Sequence, residues 1–387
     1  MTSNFLDKQM REWRQTLHRS PEFGFNTKKT AAFVVEKLKS FGIKEISTNI
    51  GGTGVVATLR NGNSNKAIAI RADMDALMIE EQNDFSYKSD FPGHMHACGH
   101  DGHTTILLGT AAILAKSYGF DGIIHFIFQP AEEWGKGAQA MIDDGLMEKF
   151  SFEEIWGFHN MPGIEVGHFE TRPGPMMSAE DNFEIELRGI GGHASKPQAV
   201  KETLQPACAL VTELQTIVSR KIDPTDVAVV SVTELITDGS RNILPGLSRI
   251  LGDARSFRKE VSSKIEKEVT SITSGIASAH GLKFSVNYSR EFIPLINDAN
   301  LAEEALKIAQ FTFGKDKTKV ATQPVTGSED FARFLNHTSG CYVFFGNGEN
   351  SAPLHNPRYD FNDDALEPSV NYLINLTRNR LSAVPKK

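Results

Sequence analysis

The sequence predicts an α/β protein in two parts: a mainly parallel sheet covered by helices, and a smaller unit of strands and helices inserted into it. Three observations carry this. At 387 residues the chain exceeds the roughly 100 to 200 residues typical of one domain. Its first third alternates short apolar segments with helix-like ones, the signature of parallel strands joined by helical crossovers. Near Met176 the pattern changes to strict apolar and polar alternation, as in a sheet with one wet face.

Taken in order, "TAAFVVEKLKSFG" repeats apolar residues at helical spacing and stops at Gly42, a residue suited to ending a helix. "VVATL" (55–59), "AIAIR" (67–71) and "IIHFIF" (123–128) are short apolar strands, and "IWGFH" (155–159) continues the series. Between the second and third, "HTTILLGTAAILAKSYG" is helix-like and nearly apolar, hence a buried helix.

In "NFEIELRGI", Phe183, Ile185 and Leu187 share one face, and Glu184, Glu186 and Arg188 the other. A helix follows over 202–220, then the strands "VAVVSVTELI" and "LSRILGDARSF", a helix with Ile265, Val269, Ile272 and Ile276 in one stripe, and the strand "KFSVNYS". This β-α-β-β-α-β order is the ferredoxin-like split pattern. Beyond about residue 290 come a helix ("NLAEEALKIAQFTFG"), a strand ("CYVFFG") and a closing helix from Glu367 to Leu381. The expected organisation is a discontinuous larger domain, 1–175 with 290–387, around an insert over 176–289.

A formal charge of −7 argues against nucleic acid or an anionic membrane surface as partner, since both demand clustered Lys and Arg. A small molecule fits better. No signal-peptide-like stretch and no run of about 18 apolar residues occurs, so the expected location is the cytoplasm. Cys98, Cys208 and Cys341 are odd in number and far apart, which is not a disulfide framework. Cys208, on an apolar helix face, and Cys341, in an apolar strand, read as small core residues.

Cys98 is different, because "HMHACGHDGH" (94–103) packs four histidines, a cysteine and an aspartate into ten positions. Four stretches hold ligand-type residues: Cys98 and His100 here, Glu132 and Glu133 in "FQPAEEWG", His159 in "WGFHNMP", and His355 in "APLHNPR". The last three follow apolar strands, and in open α/β sheets the cleft lies beyond the strands' carboxyl ends. Structural zinc is usually closed by four Cys or His at short spacing. One thiolate, three imidazoles and a carboxylate spread along the chain point instead to a catalytic site, with two ions sharing ligands. Zn²⁺ suits the thiolate, while imidazole and carboxylate also admit Mn²⁺, Co²⁺ or Ni²⁺. Adjacent glutamates also suit a solvated loop, but here one can bind metal while the other moves protons. Phe128 and Trp134 beside them fit either an acyl pocket or core packing.

"RADMDAL", "HACGHDGH", "FQPAEE", "GFHNMP", "GGHAS", "NILPG" and "SEDF" stand in this order along nearly the whole chain. The ordered set resembles the M20 metallopeptidase clan, in particular its aminoacylase, hippurate hydrolase and indoleacetyl-amino-acid hydrolase branch. The resemblance implies a two-metal catalytic domain with a ferredoxin-like lid or dimerisation domain, and a homodimer or homotetramer. It implies Cys98, His100, Glu133, His159 and His355 as ligands of two divalent ions, Glu132 as general base, and Asp73 as the residue that orients a ligand. His193 in "GGHAS" would stabilise an oxyanion, often in the partner's cleft, and Asn242 and Arg255 would contact substrate. Arg71 stands where the wider clan has a liganding histidine, so Cys98 and His100 must carry that site. Met78 replaces a common proline, and Gln198 a common histidine.

The implied activity is metal-dependent hydrolysis of the amide of an N-acyl amino acid. A dinuclear dipeptidase or aminopeptidase is the alternative. A non-catalytic metal-binding protein is disfavoured, because it would need Glu133 but not Glu132.

Overall fold

The structure, a computed structural model, describes residues 4–382. It divides into two compact units: the first runs to Met176 and takes up Ile296–Gln323 and the chain from Asp330, and the second comprises Met177–Leu295 with Pro324–Glu329. The six residues 324–329, which carry the Ser328-Glu329 of "SEDF", thus group with the second unit rather than with the C-terminal part of the first.

In chain order the main elements are α1 (Asn4–Arg19), α2 (Lys28–Ser40), β1 (Glu45–Ile50), β2 (Gly54–Asn61), β3 (Ala67–Asp73), α3 (His100–Ser117), β4 (Gly122–Gln129), β5 (Glu154–Pro162) and β6 (Phe169–Thr171). The second unit contributes β7 (Ala179–Arg188), α4 (Leu204–Leu214), β8 (Ala228–Thr237), β9 (Leu247–Ser256), α5 (Lys259–His280) and β10 (Lys283–Phe292). The chain then returns with α6 (Ala299–Phe313), β11 (Thr318–Val320), β12 (Ser339–Gly348) and α7 (Leu366–Arg380).

In the first unit eight strands form one sheet in the order β1-β2-β4-β3-β5-β12-β6-β11. β3 runs parallel to β4 and β5, and β5 parallel to β12. Every residue of β3 is buried, which explains its continuous apolar sequence: a central parallel strand has no wet face. The two polar exceptions satisfy each other, Arg71 Nη1 donating to Asp73 Oδ2 at 2.7 Å. α3 begins at His100, earlier than the apolar pattern suggested, and residues 100–112 are all buried. It packs on β3, α1 and α7.

In the second unit four antiparallel strands lie in the order β8-β9-β7-β10, the second, third, first and fourth of the unit, which is the ferredoxin-like arrangement. Phe183, Ile185 and Leu187 of β7 join Leu210 and Leu214 of α4 and Ile265 and Val269 of α5 in one core. Ile272 and Ile276 are only partly buried at its edge. The helix expected over 202–220 ends at Leu214, and a π-turn follows over Ile217–Lys221, where the β-branched Thr216, Ile217 and Val218 weaken helix. Cys208 is exposed, not a core residue, because α4 buries Ala207 and Leu210 instead. Cys341 is buried as expected. Among the described residues no helix is long and apolar enough to cross a membrane.

Candidate metal centre

Because β3, β4, β5 and β12 are mutually parallel, their carboxyl ends lie along one edge of the sheet. Asp73 ends β3, Glu132 and Glu133 follow the end of β4, His159 sits near the end of β5, and His355 is in the loop after β12. Cys98 and His100 arrive at the same edge, at the start of α3. The topology converts four distant stretches into one cluster.

Two triads of possible ligands share one sulfur. Cys98, His100 and His159 offer atoms within 4.8 Å of one another, and so do Cys98, Glu133 and His355. The Cys98 Sγ lies 3.3 Å from His159 Nε2, and His355 Nε2 lies 3.4 Å from Glu133 Oε2. His100 Nε2 is 3.8 Å from Glu133 Oε1 and 4.0 Å from Glu132 Oε2. All five ligand-type residues and Glu132 thus come together.

Local backbone devices hold them. The Asp75 carboxylate accepts the amide N–H of Glu132 at 3.0 Å and that of Glu133 at 3.3 Å, so one buried side chain sets both glutamates. The Asp75 carbonyl accepts from His100 Nδ1 at 2.8 Å, which leaves Nε2 to face the cluster. Gly99 has φ +88°, and a Cβ there would lie 2.3 Å from Asn160 Oδ1 and 2.5 Å from the Tyr359 hydroxyl. Only glycine fits between Cys98 and His100. His355 itself has φ +63°, an uncommon conformation for histidine, and its N–H is tied to the Ala97 carbonyl at 2.8 Å.

The charges fit a divalent cation. Burial opposes a charge on His100, but Asp73, Asp75 and Glu133 outweigh it and push its pKa up to about 10. Burial and the neighbouring carboxylates hold the Cys98 thiol well above its usual range. Burial also opposes the charge of Glu133, yet His355 and His100 hold it below its usual value. His159 is held well below its usual value by burial and the nearby His103 and His100, so it is a neutral imidazole with a lone pair to give. The cluster therefore favours positive charge at its centre. His100 Nε2 and Glu133 Oε1 are buried without hydrogen-bond partners, a costly state that a cation would relieve.

Asp73 does not bond His100, which is 3.8 Å away. It accepts from His103 Nδ1 at 2.6 Å instead, and His103 Nε2 meets Asn160 Oδ1 at 2.7 Å. Asn160 Nδ2 in turn bonds the Tyr359 hydroxyl. Burial works against the charge of Asp73, but His100, His103 and Arg71 hold its carboxyl well below the usual range. Sequence reading passed over Asp75, Asn160 and Tyr359. Asp75 alone was signalled, by its place two residues beyond Asp73 in "RADMD". His96 is buried with both ring nitrogens unpartnered, and burial lowers its pKa to about 4. Asp101 accepts from the Gly102 N–H at 2.9 Å and pairs with His18 Nδ1 at 2.7 Å.

The three remaining candidates belong to the second unit. His193 and Asn242 are neighbours there: Ile243 pairs with His193 in a short two-stranded ladder, and the Asn242 carbonyl accepts the Ala194 N–H at 3.0 Å. Both are exposed. His193 Nδ1 accepts the Ser195 N–H at 3.1 Å, so Nε2 carries the ring hydrogen. Arg255 is half-buried and engaged, with Nη1 2.8 Å from Glu180 and 3.0 Å from Ser328 Oγ, and Nε 2.9 Å from Asp253.

The chain is similar to known proteins over nearly its whole length. The profile of peptidase family M20/M25/M40 matches residues 69–379. The chain is 40% identical over 371 residues to the hippurate hydrolase of Campylobacter jejuni subsp. jejuni serotype O:2, covering 96% of each chain. It is 40% identical over 287 residues to the N-acyl-L-amino acid amidohydrolase of Geobacillus stearothermophilus, covering 74% of this chain and 77% of that one. Among solved structures, the Bacillus subtilis YXEP protein, described as a dinuclear metal binding peptidase from the M20 family, superposes with a TM-score of 0.86 at 28% identity, covering 99% of this chain and 100% of that one. The shared fold, the motifs in order and the clustered ligands together make this chain a member of peptidase family M20/M25/M40, a metal-dependent hydrolase of amide bonds.

Proposed function

We propose that the enzyme hydrolyses N-acyl amino acids, releasing a carboxylic acid and a free amino acid. The observation that carries the reading is the paired setting of Glu132 and Glu133 by Asp75, with Glu133 among the ligand atoms and Glu132 beside them. The activities named for the hippurate hydrolase and the N-acyl-L-amino acid amidohydrolase support the substrate class.

Cys98, His100, Glu133, His159 and His355 would hold two divalent ions of the Zn²⁺, Mn²⁺, Co²⁺ or Ni²⁺ type, and the sharing of Cys98 by two triads supports a pair. Bound there, such ions supply Lewis acidity for the acyl carbonyl and acidify water. Glu132 takes the proton of the attacking water and delivers it to the amine as the C–N bond breaks. Asp73 steadies the cluster from beneath through His103. His193 donates from Nε2 to the oxyanion, the charge that fixed donors stabilise most. Asn242 binds the amino-acid carboxylate. Arg255 assists with less freedom, since Glu180 and Asp253 already balance its charge.

The second unit serves as the dimer contact. Its ten-residue edge strand β8 exposes Val229, Leu235 and Ile236, and Ile190 is exposed nearby in sequence to His193; unpaired apolar edges invite strand pairing. Three free cysteines suit a reducing cytoplasm.

The test is hydrolysis of N-acetyl, N-benzoyl and longer N-acyl amino acids against unblocked dipeptides, with metal-stripped protein reloaded with each ion. Cleavage of blocked substrates is expected. Cleavage of dipeptides alone would replace the reading with the dipeptidase one.

A further inference from the structure

We propose that Tyr359 is a positioning residue for the metal pair: its hydroxyl locks the loop that carries His355 to the segments that carry Cys98, His100 and His159. This rests on the two-ion reading of the site and says what keeps its most exposed ligand in place.

The five ligand-type side chains are not held alike. Cys98, His100 and His159 are buried, whereas the His355 side chain is 53% exposed. Little packing fixes it, and its backbone stands at φ +63°, a conformation that persists only where the surroundings impose it. Its place must therefore come from its loop. That loop is tightly folded: the Asn356 carbonyl accepts the Tyr359 N–H at 2.9 Å, and Asn356 Oδ1 accepts the Arg358 N–H at 2.9 Å. Fixing Tyr359 thus fixes His355, four residues before it.

Tyr359 is fully buried, and for its ring alone phenylalanine would pack as well. The hydroxyl needs a separate reason, since a buried polar group costs free energy unless it is bonded. It accepts from Asn160 Nδ2 and lies against Gly99, where a Cβ would be 2.5 Å away. Gly99 joins Cys98 to His100. Asn160 follows His159, and its carbonyl accepts from His159 Nδ1 at 2.5 Å, which turns Nε2 toward the Cys98 sulfur, 3.3 Å away. One hydroxyl therefore meets both segments of the Cys98, His100 and His159 triad, and it belongs to the loop that completes the triad of Cys98, Glu133 and His355. The outer ties of this loop differ: the Gln82 N–H donates to the Pro357 carbonyl at 2.8 Å, and the Tyr87 hydroxyl to Asp360 Oδ2 at 2.6 Å. These reach a segment that carries no ligand. Without the Tyr359 hydroxyl, Asn160 Nδ2 loses its partner and the loop is released on its inner side. His100 stays held by the Asp75 carbonyl and His159 by the Asn160 carbonyl, so the ion of the His355 triad is the one that weakens.

The test measures metal binding ion by ion. Wild type, Tyr359→Phe and Tyr87→Phe are stripped and titrated with Zn²⁺ against a competing chelator, with far-UV circular dichroism and the urea midpoint of the metal-free proteins as folding controls. Wild type is expected to bind two ions. Tyr359→Phe should bind one of them at least about tenfold less tightly and the other within about threefold of wild type; His355→Ala, which removes the ligand itself, marks which ion that is. Tyr87→Phe loosens the same loop from outside, and both of its affinities should stay within about threefold of wild type. Asn160→Ser removes the partner in place of the hydroxyl. It should reproduce the selective loss, and the double variant should lose little more than Asn160→Ser alone. Equal weakening of both ions, the same selective loss in Tyr87→Phe, or two unchanged affinities in Tyr359→Phe overturns the positioning role and leaves the two-ion reading standing. A wild type that binds one ion at most overturns that reading, and with it the role of Tyr359.

Discussion

Replacing Asp75 with alanine tests how the centre is built. The side chain is buried and accepts two backbone donors, the amides of Glu132 and Glu133 at 3.0 and 3.3 Å. Its removal orphans both. A buried donor left unpaired costs about 1–3 kcal/mol, so the turn holding the glutamates loses roughly 2–6 kcal/mol in its present geometry. If the turn opens to reach water, the ligand set is disassembled by the same amount. Metal affinity should then fall at least about thirtyfold, since each 1.4 kcal/mol is tenfold. Titration against a competing chelator measures this, with far-UV circular dichroism as the control for folding. Asp75→Asn keeps one acceptor oxygen and should lose about half as much in free energy. Metal binding by Asp75→Ala within threefold of wild type would refute the argument that this carboxylate positions the pair.

Three further outcomes follow from the same geometry. Glu132→Gln should lower kcat by about 10²- to 10⁴-fold while metal content by elemental analysis stays at the wild-type level, whereas Cys98→Ala should lose metal; normal turnover in the first variant would remove Glu132 as the base. Gly99→Ala should destabilise the first unit and weaken metal binding together, because its Cβ would lie within 2.5 Å of Asn160 Oδ1 and the Tyr359 hydroxyl; an unchanged urea midpoint would contradict this. His18 is buried, and although burial opposes its charge, Asp101 and Glu81 raise its pKa to about 9. Its folded pKa exceeds the unfolded value near 6.5, so its contribution, about 3 kcal/mol, is complete below pH 6.5 and lost as pH rises through 9. Urea unfolding at pH 6 and 9.5 should show that loss in wild type and a flatter response in His18→Gln; equal pH dependence in both would exclude His18 as its source.

Much of this protein could be read without coordinates because the signals are local. Continuous apolar runs mark β3 and β4 as central strands, and alternation marks β7 as half-wet. Residue chemistry singled out Cys98, His100, Glu132, Glu133, His159 and His355, and the parallel topology brings them to one edge. Where patterns were ambiguous, reading was less secure: Cys208 lies on an apolar-looking helix that turns a different face inward.

The sequence by itself determined where the apolar and the alternating strands and the buried helix lie, and the residue types from which a metal centre is made, since periodicity and side-chain chemistry are properties of neighbours in the chain. Only the tertiary structure decided that Asp75 rather than Asp73 sets the glutamates, that Asp73 acts on His103, and that His96 is sealed in the interior. Those outcomes depend on which atoms meet across tens or hundreds of residues. A hydrogen bond or a packed ring is settled by distance in space, which no local pattern encodes.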